Sequence, residues 1–299
     1  MTEGWEIVVT AEHDGERIDR FLRQRGLRAS RAALAEQLAR GDIRVNGARF
    51  KKGQRLRAGD RVSGARANLP ALAQPDPQPL AVLHEDAWLV LANKPAGMPS
   101  HPLRADERGT LASALLARYP EMAGVGHSPL EPGILHRLDT DTSGVMLAAR
   151  DERTFAALHA AHRRGDFDKR YLALCSGELQ ARRVYAYLRA DRRKVRVDAD
   201  PFEGAKAIET EITSVTRHGE FSLVEVRVPF AARHQVRAQL AALGHPIAGD
   251  ALYGGRELAG LTRHFLHASE LAFEHPHSKQ VLRIRAELSE DLQRVLTSR

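Results

Sequence analysis

Apolar residues along the chain fall into runs with distinct spacing, and the spacing predicts the elements. Ile18, Phe21 and Leu22 share one face of a short helix, with Arg17, Arg20 and Arg23 off that face and Gly26 as its stop. Ser30 is placed to cap a second helix over Arg31–Arg40, in which Leu34 and Leu38 form an i,i+4 pair before Gly41. Ile43-Arg44-Val45 and Ala48-Arg49-Phe50 flank Asn46-Gly47, a two-residue hairpin signal, and Gly59-Asp60 marks a further turn before Arg61-Val62. Residues 67–79 hold four prolines in thirteen positions, which predicts a semi-extended linker.

Beyond the linker, Leu80–Asp86 and Trp88–Leu91 read as strands, and the proline-rich run Asn93–Pro102 excludes regular structure. Leu111, Leu115 and Leu116 predict a helix from Thr110 to Tyr119, ended by Pro120. Two apolar runs, Ile134-Leu135 and Val145-Met146-Leu147, are expected to be strands around a polar loop that carries Asp139, Thr140, Asp141, Thr142, Ser143 and Gly144. Thr154–Arg164 has helical spacing, and Tyr171–Cys175 is strand-like. Residues 180–220 read as hairpins and loops rich in Arg and Asp. Phe221–Val228 alternates as a half-buried strand does.

Charge changes this picture at the N-terminus. The chain of 299 residues carries a net charge of +7 with a pI near 9.8, which favours a polyanionic partner. Residues 16–66 alone hold fifteen Lys/Arg against five Asp/Glu, so the excess of ten is concentrated there. Arg20, Arg31, Arg44, Lys51 and Lys52 are the expected phosphate contacts. Hydrophobic residues at 43% and charged ones at 28% are in the soluble globular range. The one cysteine, Cys175, excludes an internal disulfide and fits a reducing compartment. No stretch is long and apolar enough to span a bilayer, and Met1–Trp5 lacks a basic-then-apolar signal. A cytoplasmic monomer without membrane association is the expectation.

The loop at 139–144 admits several chemistries. Asp139-x-Asp141-x-Ser143-Gly144 opens like a calcium loop, but the twelfth position is Arg150 where a bidentate Glu is required. An aspartic-protease dyad needs Asp-Thr-Gly twice, and the run here is Asp141-Thr142-Ser143-Gly144. A solvated turn whose side chains cap local amides fits the same residues. Histidine pairs at 159/162, 264/267 and 275/277 lack an evident third ligand, so no metal is assigned.

His136-Arg137-Leu138-Asp139-Thr140-Asp141-Thr142-Ser143-Gly144 resembles the catalytic loop of the RluA-type pseudouridine synthases, the branch that isomerises uridines in ribosomal and transfer RNA. Three further runs carry the same resemblance. Asn93-Lys94-Pro95-Ala96-Gly97 is similar to the family's first motif. Lys169-Arg170-Tyr171 is similar to its Lys-x-Tyr strand head. His234-Gln235-Val236-Arg237, leading to Gly244-His245-Pro246-Ile247-Ala248-Gly249-Asp250, is similar to its third motif, and Leu266-His267-Ala268 to its closing strand. The chain departs from relatives at Phe230-Ala231-Ala232-Arg233, where they often have Thr-Gly-Arg-Thr. Residues 16–66 resemble an S4-type RNA-binding domain through Arg17-Ile18-Asp19, Ser30-Arg31, Gly41–Gly47 and Gly59-Asp60.

The resemblance implies an α+β fold. A catalytic domain over 80–299 would have a mixed, largely antiparallel sheet with flanking helices, joined through a 67–79 linker to a small S4-like domain over 1–66. It implies Asp139 as the single catalytic carboxylate, Arg237 as its partner and Tyr171 as a stacking residue that takes part in proton removal from C5. Lys94, His136, Arg137, Arg233, His234 and Gln235 are then expected to bind substrate. Isomerising uridine breaks N1–C1′, turns the base and joins C5 to C1′, so neither cofactor nor metal is expected. The implied partner is RNA, ribosomal before transfer. The rival from another class is an RNA-binding or ribosome-assembly protein without catalysis. A nucleoside-directed glycosidase is weaker, because it needs two carboxylates flanking the bond and Asp141 is the evident second.

Overall fold

Alternating apolar residues become two sheets in the computed structural model, which describes residues 4–24, 31–50, 54–65, 73–104, 107–191 and 193–297. The small sheet comprises β1 (Gly4–Val8), β2 (Ile43–Val45), β3 (Ala48–Arg49) and β4 (Arg61–Ala65), in the order β1-β4-β2-β3. Helices α1 (Ile18–Gln24) and α2 (Arg31–Arg40) pack on it through Ile18, Phe21, Leu22 and Leu34, against Ile43, Val45 and Val62. The turn between β2 and β3 needs positive φ at both central residues, and Asn46 (52°) and Gly47 (75°) supply it. Gly26, the expected stop of α1, lies outside the described residues, as do Lys51 and Lys52.

The proline-rich stretch is described from Ala73 onward, and there it is fastened to the second unit. Ala73 is buried, its N–H donates to Pro129 O, and the Asp76 N–H donates to Ser113 O. Asp76 Oδ2 in turn accepts from the Gly109 N–H at 2.8 Å. Residues 73–76 of the expected linker thus hydrogen-bond to residues 109–129.

The large sheet is formed by β5 (Ala81–Glu85), β6 (Leu89–Lys94), β7 (Ser143–Ala149), β8 (Asp168–Ser176), β9 (Arg182–Asp191), β10 (Lys194–Asp198), β11 (Lys206–His218), β12 (Phe221–Arg227), β13 (Leu266–Glu274) and β14 (Val281–Arg285). Its order is β10-β9-β11-β12-β8-β13-β7-β6-β5, with β14 also paired to β13. Among the described residues β13 and β7 run parallel and the other pairs antiparallel. Residues 180–220, expected as hairpins and loops, form the β9–β10 hairpin and β11, which pairs in turn with β12. Ile134-Leu135, expected as a strand, makes only a bridge from Ile134 to Ala148.

Because side chains alternate along a strand, the sheet feeds two cores. Val90, Ala92, Met146 and Ala148 face α3 (Leu111–Arg118), α5 (Gln235–Ala242) and α6 (Glu290–Thr297). Leu89, Leu91, Val145 and Leu147 face α4 (Glu152–Arg164) through Phe155 and Leu158. Thr110 and Asp151 cap α3 and α4 by accepting from Ser113 N and Thr154 N, and Gly165 ends α4 at φ 84°. Cys175 is fully buried in the first core, and burial pushes its thiol up to about 12. No described helix is long and apolar enough to cross a membrane.

One row across the large sheet positions everything that follows. Lys94 lies opposite Gly144, Gly144 opposite Ala268, Ala268 opposite Tyr171 and Tyr171 opposite Val226. Cross-strand neighbours share a face, so Lys94 and Tyr171 flank the point where the 139–143 loop enters β7.

Candidate active site

The loop from Leu138 to Ser143 is polar, short of regular structure, and held at almost every residue. Ser100 Oγ donates to Leu138 O and accepts from Leu138 N–H, at 2.7 and 3.1 Å. Thr140 O accepts from the Gly97 N–H (2.9 Å) and from Lys94 Nζ (2.9 Å). Asp141 O accepts from Arg263 Nη1 at 2.9 Å, and Arg263 is itself anchored on Asp291. Thr142 Oγ1 lies 2.8 Å from His264 Nε2. His267 donates from Nε2 to Ala286 O (3.1 Å), which leaves its Nδ1 to accept from Ser143 Oγ at 2.9 Å. A loop held in this way presents its carboxylate in one place, which is the preorganisation a reacting group needs.

That carboxylate is Asp139. Its Oδ2 accepts from Arg237 Nη1 at 2.7 Å, while Oδ1 faces His234 Nε2 at 3.7 Å. Arg237 projects from α5 and is 7% exposed. It gives Nε and Nη2 to Asp250, at 2.7 and 2.9 Å. Burial opposes the guanidinium charge, but hydrogen bonds and charge from Asp250 and Asp139 outweigh it and hold Arg237 above its ordinary pKa. Burial likewise raises the Asp250 carboxyl, and Arg237 overcomes this to hold it below the ordinary value.

Asp139 and Arg237 sit in a cleft of about 1100 Å³, whose walls include His101, Leu103, Arg108, Arg137, Arg233 and His264. That volume suffices for a nucleotide together with its neighbours. Arg137 is exposed on the rim, with Nη1 3.0 Å from His101 Nε2. Arg233 is also an exposed wall residue, and its Nη2 donates to Arg193 O at 3.0 Å. Near another wall, Lys169 is buried with its Nζ on His162 Nε2. Burial brings Lys169 down to about 7, and burial with the Lys169 charge brings His162 down to about 4.

Several expected substrate contacts prove to be internal. Lys94 is wholly buried, and its Nζ donates to Pro95 O, Met98 O and Thr140 O, at 2.9, 2.7 and 2.9 Å. It fastens the 95–98 turn to the Asp139 loop and cannot reach RNA. Burial lowers its pKa to about 7, with Asp141 and Asp139 opposing, and three carbonyl acceptors match the three N–H groups of the ammonium form. Gln235 is 2% exposed: Oε1 accepts from the Ala232 N–H, and Nε2 donates to Glu209 O and Thr210 Oγ1. His136 borders the cleft, but its Nε2 accepts the Leu147 N–H at 3.3 Å, and burial keeps the ring neutral. Gln235 orders the site from within, while His136 lines the cleft and braces β7.

Tyr171 lies next to the loop through the Ala268 row but does not line the cleft, being 5% exposed. Burial first, and the Asp139 charge second, raise its phenol above the ordinary value. Its hydroxyl is therefore held in the protonated form. Arg44 is exposed on β2 with its guanidinium on Gly41 O and Gly47 O. Arg20 and Arg31 lie in α1 and α2, but their side chains, with Lys51 and Lys52, are outside the described residues. Among the described residues no group of three or more His, Cys, Asp or Glu could hold a metal ion.

Sequence reading did not single out Asp250, Tyr253, Arg263 or Ser100. Asp250 stood inside a quoted motif without a role, and the other three carry no local signal because their partners are distant in sequence.

Known proteins resemble both the chain and its fold. The RNA pseudouridylate synthase family matches residues 88–242. An uncharacterized RNA pseudouridine synthase of Chloroflexus aurantiacus is 37% identical over 302 residues, covering 97% of this chain and 92% of the relative. The ribosomal large subunit pseudouridine synthase D of Xanthomonas campestris is 34% identical over 313 residues, covering 98% and 92%. The ribosomal large subunit pseudouridine synthase C of Escherichia coli is 32% identical over 314 residues, covering 97% and 95%. In fold, the chain is similar to human RNA pseudouridylate synthase domain containing 4, with a TM-score of 0.58, 23% identity and coverage of 73% and 92%.

Proposed function

The chain belongs to the RNA pseudouridine synthase family, whose members are isomerases, and from that premise we propose that Asp139 is the carboxylate on which its isomerisation of uridine turns. The observation that carries this is the 2.7 Å pair between Asp139 and Arg237 inside a nucleotide-sized cleft. In this reading Asp139 serves as nucleophile or base while N1–C1′ breaks and C5–C1′ forms, the C5 proton passing to solvent and N1 taking one up, with Arg237 as the counter-charge of Asp139. The held loop and the buried Asp250–Arg237 pair keep that carboxylate in place. Exposed Arg137 and Arg233 on the cleft walls contact the RNA backbone.

The substrate proposed is large-subunit ribosomal RNA, by analogy with the synthases C and D that resemble this chain along most of its length. A uridine in an unpaired or weakly paired loop costs less to extrude, which favours it as the target. The basic N-terminal unit is proposed as an S4-like RNA grip, supported by the concentration of cations in residues 16–66 and by the β2–β3 hairpin that carries Arg44.

The test is tritium release from ribosomal RNA transcribed with 5-tritiated uridine. Release by the native enzyme and none by Asp139→Asn is the expected result. Equal release by both, or none from ribosomal or transfer RNA, would favour the reading in which the chain only binds RNA.

A further inference from the structure

His234 stands at the head of α5 in a backbone conformation that a residue with a Cβ rarely adopts, φ 53° and ψ 15°. Nothing in an N-cap requires histidine there, and its side chain makes no capping hydrogen bond. What the conformation achieves is the aim of the ring. Nδ1 lies 2.9 Å from Tyr253 Oη, and Nε2 lies 3.7 Å from Asp139 Oδ1.

The proton on that ring can be placed by following the hydrogen bonds inward from β10. A backbone N–H can only donate, so Val195 gives its proton to Tyr253 Oη at 2.9 Å. The phenol, having accepted there, has its own O–H to give, and His234 Nδ1 lies within reach. An Nδ1 that accepts leaves the neutral imidazole with its proton on Nε2, the nitrogen that faces Asp139. Burial of the ring, which lowers the His234 pKa, agrees with a neutral imidazole. The Tyr253 ring is fixed as well, because the Arg237 guanidinium lies 5.3 Å from its centroid.

We propose that Tyr253 sets the tautomer of His234 so that its Nε2–H steers the free oxygen of Asp139, making His234 a positioning residue for the reaction. Arg237 holds Oδ2 and His234 addresses Oδ1, so both edges of the carboxylate are oriented. The 3.7 Å separation is too long for a hydrogen bond, and less than an ångström of closure when RNA fills the cleft would make one. The chain of contacts also ties the β9–β10 hairpin to the reacting oxygen, through Val195 and through the Arg233 bond to Arg193 O. The inference rests on Asp139 being the reactive carboxylate.

The experiment uses the full-length enzyme and ribosomal RNA transcripts carrying 5-tritiated uridine. In a spectrum of ¹⁵N-histidine-labelled native enzyme, with His234 assigned by its loss in His234→Asn, Nε2 is expected to carry the proton and Nδ1 to be bare. Glutamine places an amide N–H where Nε2 was, whereas asparagine reaches only the Nδ1 position and tolerates positive φ better. Single-turnover rates should therefore rank His234→Gln above His234→Asn by about tenfold, with RNA affinity alike in both. A merely structural role at a strained N-cap gives the opposite order. Tyr253→Phe should slow the same step while leaving RNA affinity intact.

A native His234 protonated on Nδ1, or an asparagine variant as fast as the glutamine one, overturns the proposal. Asp139→Asn, run alongside, separates the two levels. If it is inactive and the His234 ranking fails, only this inference falls. If it is active, the role of Asp139 falls first and this inference with it.

Discussion

Asp250 grips Arg237 along the whole edge of its guanidinium, by Nε at 2.7 Å and Nη2 at 2.9 Å, and so leaves Nη1 as the group turned toward Asp139. Such a fork fixes the plane of the guanidinium as well as its charge. Asp250→Asn keeps the volume but places an amide N–H against an N–H and leaves buried Arg237 with Asp139 as its remaining carboxylate. The expected result is a loss of about 10²-fold in the single-turnover rate, with RNA affinity retained. Combining it with Arg237→Met should cost little beyond the worse single variant, since the two act as one unit. Additive losses in that cycle would separate the residues.

Lys94 supports the site without touching substrate. Lys94→Met removes the donor to three carbonyls and leaves them buried, a loss expected to be about 3 kcal/mol in denaturant unfolding. RNA affinity measured below the new midpoint should be unchanged. A variant of native stability that binds RNA poorly would return Lys94 to the role of an RNA contact.

Acid should loosen the loop through His264. Burial first, and the Arg237 charge second, lower its pKa from 6.5 to about 4 in the folded protein. The unfolded chain then takes up a proton across that interval while the folded one does not. The stabilising contribution is complete above pH 6.5 and is lost as pH falls toward 4. His162, held near 4 by burial and Lys169, adds in the same direction. Unfolding midpoints recorded from pH 7 to 4 should fall, and His264→Gln should flatten the profile. A profile unaffected by that substitution would mean that His264 does not titrate in this window.

Gly144 is required where β7 meets β13. It has φ 121°, and a Cβ there would lie 2.1 Å from Ala268 O. Gly144→Ala must push apart the parallel pair that sets the loop entry, at an expected cost of at least about 3 kcal/mol. Calorimetry showing a loss below about 1 kcal/mol would mean that the two strands yield more easily than close packing allows.

If residues 1–66 grip phosphates, removing them should weaken RNA binding and make log affinity fall less steeply with log salt. Titrations from low to moderate salt measure that slope directly. A slope equal to that of the full chain would leave the fifteen cations of 16–66 without a role in RNA binding.

Local patterns were legible where the chain's own spacing decides structure. The Asn46-Gly47 hairpin, α2, α3 and the half-buried β12 all follow from period and turn chemistry. The Asp139–Arg237 pairing was legible only through the family resemblance, since 98 residues separate the partners. Hairpins were legible over 180–220, but the bounds of β9 to β11 were not, because their exposed faces carry Arg, Glu and Tyr and polarity masks the period of two. Lys94 and Gln235 were misassigned for one physical reason. A polar side chain on an element that enters a loop looks the same in sequence whether its partners are phosphates or the protein's own carbonyls.

Cys175 has a practical consequence. It is the sole thiol in the chain, fully buried and raised to about 12, so alkylating and maleimide reagents should pass it by at neutral pH. The native sequence therefore serves as its own cysteine-free background. A single engineered thiol near Leu103 on the cleft rim would take one fluorophore without any prior substitution, and its signal would time the arrival of RNA.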